Sequence, residues 1–291
     1  MNRHPTGSTI ERPPQLKRLL DAPGRIRSYF SLMSIASSLR LDVIIPAAEK
    51  DLDVLPYAVD GVTANIKHPI GSIFVVAANS KAFQEVCRRK HCRFVEERSL
   101  YDMNPAEIDL VVNGVDRSTW IYQQLLKLSA DTLAESSHFL VVDADTVFVR
   151  PQAFERNGRV ILNYSDEYNQ PYFEMYQRLL NEVVVCPVSF TSHQMLYDTT
   201  ILRDLKRRIE AIHGCRWDEA ILRNLDRRQG AGFSDYDTYG QFAFMHHPQK
   251  VAVEYWFNLS LARKRNLAHV RWLRFKYGRK YKSLSFHSYK E

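Results

Sequence analysis

The stretch that decides the fold is His138-Phe139-Leu140-Val141-Val142-Asp143-Ala144-Asp145, near the middle of a chain of 291 residues. Its first five residues predict a strand with apolar side chains on both faces, and such strands lie inside parallel sheets that helices cover. Ligands of these sheets bind at the carboxyl ends of the strands, where the two aspartates lie. In an extended chain Asp143 and Asp145 point the same way, with their carbons roughly 6 to 7 Å apart. We therefore expect both carboxylates to face one divalent cation that carries a phosphate.

Strands and helices alternate before this stretch. Hydrophobic periodicity predicts strands at 41–46, 72–77 and 93–96 and helices at 52–66, 81–89 and 120–133. This order is typical of an α/β protein with a mostly parallel central sheet and right-handed crossovers. The aspartate pair then follows about the fourth strand of that sheet.

The chain after Pro151 lacks this regular rhythm. It begins with an aromatic region around Tyr164, Tyr168 and Tyr172, whose rings suit either sugar faces or packing. A strand-like segment is predicted at 182–186, and helices near 193–197, 201–212 and 218–227. At the other end of the chain, residues 16–40 indicate helical pieces. We expect an N-terminal extension over 1–40 and one domain over 41–291, with two halves at 41–151 and 152–262 and a basic segment at 263–291.

Composition argues against a disulfide-stabilised scaffold and against a membrane-spanning protein. With 45% hydrophobic residues the chain has ample material for a core. Its four cysteines form no CxxC pair, which favours structural thiols in a reduced compartment over a disulfide framework. The first residues do not resemble a signal peptide, and no run of 18 apolar residues occurs. We expect a cytoplasmic protein, either soluble or peripheral at the inner face of the plasma membrane.

The positive charge is concentrated near the end of the chain. The formal net charge is +7, but 263–282 contains nine Lys and Arg and no acid, so the net charge would be −2 without this stretch. Three interpretations stay open: a solvated helix, attachment to an anionic membrane surface, or nucleic-acid binding, which no recognised motif supports.

An Asp-x-Asp after a strand has a structural interpretation, as a turn or helix cap, and two enzymatic ones. Phosphohydrolases of the haloacid dehalogenase type carry D-x-D-x-[TV], which Asp143 to Val147 matches, with Asp143 then the nucleophile. That family places the motif on its first strand and needs a later acidic pair, often DD or GDxxxD. Here about three strand-helix units precede Asp143, and neither DD nor DxxxD follows Asp145.

The other enzymatic interpretation is carried by four motifs in order: Tyr122-Gln123-Gln124-Leu125-Leu126-Lys127-Leu128, then Asp143-Ala144-Asp145, then Ser234-Asp235-Tyr236-Asp237-Thr238-Tyr239-Gly240, then Phe286-His287-Ser288-Tyr289. In these motifs the chain, from about Leu41 to Tyr289, resembles a bacterial family of nucleotide-sugar glycosyltransferases with the GT-A fold. Members of that family often have Glu where Asp235 stands.

The resemblance implies a role for each group of residues. The metal ligands would be Asp143, Asp145 and His287, and an imidazole ligand would favour Mn2+ over Mg2+. Asp143 would also contact a sugar or ribose hydroxyl of the donor. Asp235, or else Asp237, would act as the acid/base. The remaining donor contacts would come from Pro46, Glu49, Lys50, Asp51, Gln123, Lys127, Lys280 and Lys282.

The sequence thus predicts a metal-dependent glycosyltransferase. Its donor would be a nucleotide-sugar, a UDP-sugar above all, and its acceptor a glycan or lipid-linked molecule of a bacterial surface polysaccharide. Partners would include an anionic membrane surface through 263–282, but not nucleic acid. The alternatives are the phosphohydrolase and a non-enzymatic module that binds polyanions or membranes through its basic segment.

Overall fold

A computed structural model describes residues 36–184 and 188–288. These residues form thirteen strands: β1 (Leu41–Pro46), β2 (Ile70–Ala77), β3 (Arg93–Glu96), β4 (Val111–Val112), β5 (Val115–Asp116), β6 (His138–Val142), β7 (Thr146–Phe148), β8 (Glu155–Arg156), β9 (Arg159–Tyr164), β10 (Gln194–Asp198), β11 (Val251–Tyr255), β12 (Asn258–Ala262) and β13 (Ser283–His287).

The same residues form ten α-helices: α1 (Leu55–Asn65), α2 (Lys81–Lys90), α3 (Glu97–Leu100), α4 (Ser118–Ser129), α5 (Gln170–Leu180), α6 (Thr199–His213), α7 (Trp217–Asn224), α8 (Asp235–His246), α9 (Arg263–Asn266) and α10 (Val270–Tyr277). Single 3-10 turns occur at Glu49–Asp51, Pro105–Ile108, Ala130–Thr132 and Leu267–His269.

The central sheet has five strands in the order β10-β6-β1-β2-β3. Strands β6, β1, β2 and β3 are parallel, and only β10 is antiparallel, along β6. Helix α4 packs against β1, α2 against β2 and α6 against β10. The predicted α/β class with a mostly parallel sheet is confirmed, and β6 is the fourth strand of this sheet in chain order.

Apolar side chains on both faces explain why β1 and β6 lie in the middle of the sheet. Apart from His138, every residue of both strands is buried, including Val43, Ile44 and Ile45 in β1 and Phe139 to Val142 in β6. Strands covered on both faces have such continuous apolar runs. Their parallel register, with Ile44 opposite Val141, brings the carboxyl ends of β1 and β6 to the same edge.

A second, three-stranded sheet lies beyond the aspartate pair. Its order is β12-β13-β7, with β13 parallel to β12 and antiparallel to β7. The register pairs Ser285 with Thr146, and the amide of Phe286 donates to the carbonyl of Asp145 at 2.9 Å. This pairing brings the end of the chain, with His287, beside the aspartates. A third sheet, β11-β9-β8, completes the second half.

Several predicted elements differ from the structure. The helix predicted near 193–197 is wrong, because this segment is the buried strand β10 that pairs with β6. Residues 182–184 form no strand, and 185–187 lie outside the described residues, as do the helical pieces predicted over 16–35. Residues 36–40 form no helix. Helix α4 ends at Ser129, and a 3-10 turn follows it.

Three cysteines, Cys87, Cys92 and Cys215, are free thiols, and Cys186 lies outside the described residues. In the described ranges no helix combines the length and apolar character that crossing a bilayer requires.

Helix α1 approaches β7 so closely that only glycine fits at position 61. A Cβ on Gly61 would lie 2.8 Å from the backbone nitrogen and 3.1 Å from the carbonyl oxygen of Phe148. We expect Gly61→Ala to lower the free energy of unfolding by about 1 to 3 kcal/mol, despite the better helix propensity of alanine. Urea unfolding measures this change. Gly230→Ala is the control, since a Cβ there meets nothing closer than 3.8 Å; an equal loss in both variants would contradict the proposed contact.

Candidate active site

A cavity of about 480 Å³ lies where the carboxyl ends of β1, β6 and β13 meet the first turn of α8. It is lined by nine of the residues that the sequence singled out: Pro46, Lys50, Asp51, Gln123, Lys127, Asp143, Asp145, Asp235 and His287. Four others, Glu49, Asp237, Lys280 and Lys282, are not part of its lining. The fold thus brings together most of the predicted site from five separate parts of the chain.

The aspartates do not continue the strand as expected. The chain turns at Asp143-Ala144-Asp145, with the amide of Thr146 donating to the carbonyl of Asp143 at 2.9 Å. This turn is held from both sides, because the amide of Asp143 donates to the carbonyl of His193 and the carbonyl of Asp145 accepts from Phe286. The condition of an extended chain at Asp143 and Asp145 is therefore not met, and the two carboxylates have different partners.

Asp143 is surrounded by donors. Its Oδ1 accepts from the Lys127 ammonium and from the Tyr236 hydroxyl, both at 2.7 Å. Its Oδ2 lies 3.3 Å from Nδ1 of His193. Nε2 of His193 lies 3.0 Å from the carboxylate of Glu167, so the imidazole bridges two acids. Lys127 also lies over the Tyr236 ring, 4.1 Å from its centre.

These contacts fix the charges of the cluster. Burial alone would raise the pKa of Asp143, but Lys127 and His193 outweigh it and hold this pKa well below its usual range. Burial would lower the pKa of His193, but its bonds to Asp143 and Glu167 raise it to about 10. His193 is therefore an imidazolium at neutral pH. A phosphohydrolase nucleophile at Asp143 would have to give up one of these contacts in order to attack phosphorus.

Asp145 meets His287. Its Oδ2 lies 3.0 Å from Nδ1 of His287 and 3.8 Å from the guanidinium of Arg263. Arg263 is buried, and it also donates to Asp51 at 2.8 Å and to the carbonyl of Phe286 at 2.8 Å. The predicted proximity of His287 to the aspartate motif is present, through its contact with Asp145.

Asp235 opens α8 and is 2% exposed. Its Oδ2 accepts from the Tyr197 hydroxyl at 2.8 Å, and its Oδ1 lies 3.8 Å from the Lys127 ammonium. Its backbone amide donates to the side chain of Gln124 at 3.0 Å. Burial raises the pKa of Asp235 to about 6, because Lys127 and Tyr197 compensate only part of the lost hydration. A carboxylate with such a pKa is suited to proton transfer near neutral pH.

Asp237, the other acid/base candidate, has a different environment. It accepts from the amide of Phe190 at 2.8 Å, from the Thr191 hydroxyl at 2.7 Å and from the Ser189 hydroxyl at 3.3 Å. Burial raises the pKa of Asp237 to about 6, although these hydrogen bonds act to lower it. Because its oxygens hold the loop 189–191 rather than face the cavity, we exclude Asp237 from the site.

Three predicted donor contacts also lie elsewhere. Lys282 is buried beside Trp256 and bound to Glu254 at 2.5 Å. Lys280 is exposed, with its ammonium 5.2 Å from the Tyr281 ring. Glu49 is exposed in the 3-10 turn after β1. The member of the basic segment that reaches the aspartate motif is Arg263, which the sequence did not single out from its neighbours.

The structure adds residues that sequence analysis did not assign to the site. His193 was assigned to a helix, although it precedes β10 in the left-handed region with a φ of 63°. Glu167 comes from the loop after β9, and Arg117, whose guanidinium stacks over Trp120 at 4.7 Å, from the start of α4. Tyr236 and Gln124 lay within the quoted motifs, so the motifs themselves were the signal for these two.

Asp145 and His287 carry the atoms nearest to each other among the expected metal ligands. Oδ2 of Asp145 and Nδ1 of His287 lie 3.0 Å apart, which is a hydrogen-bond distance. Two ligands about 2.1 Å from an octahedral ion and at right angles to each other would be separated by about the same distance. Across residues 36–184 and 188–288, no group of three or more His, Cys, Asp and Glu side chains is arranged to hold an ion. The three expected ligands, Asp143, Asp145 and His287, all line the cavity. Of these, Asp143 is already bound by Lys127, Tyr236 and His193.

We expect Asp237→Ala to destabilise the fold. The substitution leaves the buried amide of Phe190 without its acceptor, which costs about 1 to 3 kcal/mol for each such group. Chemical unfolding of the variant measures the loss, with Asp102→Ala as the matched control, since the Asp102 side chain is 87% exposed. Equal stability of the two variants would contradict a structural role for Asp237.

The chain was compared with curated proteins, solved structures and family models. A search of curated proteins gives no match. Similar solved structures include the galactosyltransferase LgtC in complex with donor and acceptor sugar analogs (15% identity, 84% of this chain and 87% of that chain, TM-score 0.44). Another is WbbM, a bifunctional glycosyltransferase, with 11% identity over 88% of this chain and 47% of that chain and a TM-score of 0.47. A third is mouse xyloside xylosyltransferase 1, with 12% identity over 87% of this chain and 99% of that chain and a TM-score of 0.43. Identities this low do not carry an activity over. The model of one family, described as a family of unknown function, DUF6492, matches residues 66–270, and the chain belongs to this family.

Proposed function

We propose that this protein is a metal-dependent glycosyltransferase with a GT-A-like site. It moves a hexosyl or related sugar from a nucleotide-sugar, a UDP-sugar above all, to a glycan or lipid-linked acceptor in bacterial surface polysaccharide synthesis. The observation that carries the proposal is the pair Asp145 and His287. Oδ2 of Asp145 and Nδ1 of His287 lie 3.0 Å apart, and both residues line the cavity.

Asp145 and His287 would hold the cation. A site with few protein ligands suits an ion that is shared with substrate phosphates, and the imidazole favours Mn2+ over Mg2+. When bound, the cation supplies positive charge that stabilises the departing nucleoside diphosphate. Arg263 supplies fixed positive charge at the same carboxylate, 3.8 Å from its Oδ2.

Donor binding would use the carboxyl end of β1 and one side of α4. Pro46, Lys50 and Asp51 line the cavity where the first strand ends, and Gln123 and Lys127 line it from α4. Ligands of parallel sheets bind at such strand ends. Asp143, held by Lys127, Tyr236 and His193, would orient a donor hydroxyl and keep the Lys127 ammonium in place.

Asp235 would remove the proton from the acceptor hydroxyl. Asp235 is one of the residues that line the cavity, and Tyr197 and Lys127 orient its two carboxylate oxygens. The Lys127 ammonium would also limit the pKa of Asp235, since a neighbouring cation favours the ionised form. An ionised Asp235 near neutral pH is what a general base in an inverting transfer requires.

The first test concerns the metal and the nucleotide. We expect UDP together with Mn2+ to raise the melting temperature of the protein more than either alone, because a ligand at 100 times its Kd adds about 2.7 kcal/mol. Asp145→Asn should remove this combined effect and abolish sugar transfer. Asp102→Asn, a change of the same charge at an exposed position, should leave both unchanged. The proposal fails if wild-type protein shows no metal-dependent protection by UDP or by any other nucleoside diphosphate.

The second test concerns Asp235. Its pKa of about 6 lies above the ordinary value, so the ionised base is lost as the pH falls through 6. We therefore expect kcat/KM for transfer to rise with pH up to about 6 and then to level. Asp235→Asn should lower kcat by roughly 10² to 10⁴-fold and remove this rise, while metal-dependent UDP binding persists. A variant with wild-type kcat would show that Asp235 is not the base.

A further inference from the structure

Helix α10 has two chemically different sides. Val270 and Leu273 are buried in a small apolar cluster that includes Leu284 of β13. Trp272 and Phe275 point away from this cluster and are 55% and 85% exposed. Residues three apart in a helix lie on the same side, so the two rings form one exposed aromatic surface. Isolated exposed aromatics are common, but two together on one helix face need an explanation.

Cations surround these rings. Arg271 and Lys276, both exposed, lie beside them on α10, and exposed Lys264, Arg265, Arg279 and Lys280 precede and follow the helix. Two of the nine basic residues of the segment serve the interior instead, since Arg263 pairs with Asp51 and Lys282 with Glu254. No acidic residue occurs between Arg263 and Lys290. The outward side of α10 is therefore both apolar and positively charged.

We infer that the surface formed by Arg271, Trp272, Phe275 and Lys276, the α10 surface, docks on an anionic lipid bilayer. A helix that lies in a membrane interface buries aromatic side chains at the headgroup boundary while its cations contact anionic lipids. Trp in particular favours this boundary. Each cation near an anionic leaflet strengthens binding by about fivefold, and the chain places several of them around the two rings.

Lipid fits this surface better than single-stranded nucleic acid does. Base stacking requires an open aromatic face, but the Lys276 ammonium already lies over the Trp272 ring, 4.6 Å from its centre. Phe275, the most exposed large apolar side chain that the described residues contain, projects without such a cover. Insertion into an interface uses the edge and body of a ring, and it leaves the Lys276 contact intact.

The chain segment that contains α10 begins and ends beside the cavity. The chain leaves the carboxyl end of β12 at Arg263, which lies 3.8 Å from Asp145, and returns through β13 to His287, which lies 3.0 Å from the same carboxylate. Docking would hold the cavity close to the bilayer. The inference does not rest on the proposed function, because lipid binding is measured without any substrate.

Sedimentation with sucrose-loaded vesicles tests the inference. The full chain should sediment with vesicles of phosphatidylcholine containing about 30% phosphatidylglycerol, much less with phosphatidylcholine alone, and less as salt is added. Phe275→Ala should weaken partitioning by about tenfold, and the double variant Arg271→Glu/Lys276→Glu by about 25-fold or more. Trp272 emission should shift to shorter wavelength on binding in the wild type.

The matched control is Arg88→Glu/Arg89→Glu on α2, which changes the net charge equally at side chains that are 74% and 57% exposed. It should bind anionic vesicles far better than the α10 double variant, and circular dichroism should be the same for all variants. The inference is overturned by absence of binding to anionic vesicles, by equal losses in the two double variants, or by an unchanged affinity of Phe275→Ala. A single-stranded oligonucleotide that displaces the vesicles from the wild type, and that binds Phe275→Ala much more weakly, would assign the surface to nucleic acid instead.

Discussion

The buried ion pair of Lys127 with Asp143 is the contact on which the rest of the site depends. Lys127 comes from α4 and Asp143 from the turn after β6. The ammonium nitrogen and the carboxylate oxygen are 2.7 Å apart, and the two side chains are 11% and 25% exposed. An unpaired charge at this depth would cost several kcal/mol. The pair therefore fixes the distance between α4 and the end of β6. Tyr236 of α8 and His193 before β10 then join the same carboxylate, which ties four elements to one residue.

Because of this constraint, the carboxylates of Asp143 and Asp145 have different surroundings. Asp143 accepts from Lys127 and Tyr236, contacts His193, and serves as the fixed centre of the cluster. Asp145 lies after the turn, beside the end of β13, and its described partners are His287 and Arg263. The tight turn is what separates them, because an extended Asp-x-Asp would have given both carboxylates the same surroundings. A single motif thus supplies one structural anion and one that suits an ion or a phosphate-bearing ligand.

The parts of the fold that the sequence predicted well are those with a strong periodic signal. Strand β6 and helix α6 fall within two residues of their predicted bounds, because apolar runs and a 3.6-residue repeat report burial directly. Strand β10 was assigned to a helix since Gln194 to Tyr197 is a short run without turn residues, and periodicity cannot separate such a strand from a buried helix. The error concealed His193, whose place in the site depends on a left-handed backbone that precedes a strand.

Two further differences between prediction and structure concern which neighbour each charged side chain contacts. Asp235 and Asp237 both lie in the first turn of α8, yet residues two apart on a helix face in different directions. One therefore reaches the cavity and the other the loop 189–191. Likewise, composition treats Arg263 as one of nine cations, whereas the structure buries it between Asp51 and Asp145.

The sequence gives the number of charged side chains, but only the fold determines which partner each of them contacts. Here the assigned partners leave the cavity with carboxylates and cations closely interleaved, an arrangement that stabilises a fold little in return for its desolvation. Buried charge of this density is better explained by a ligand that is itself charged than by stability alone.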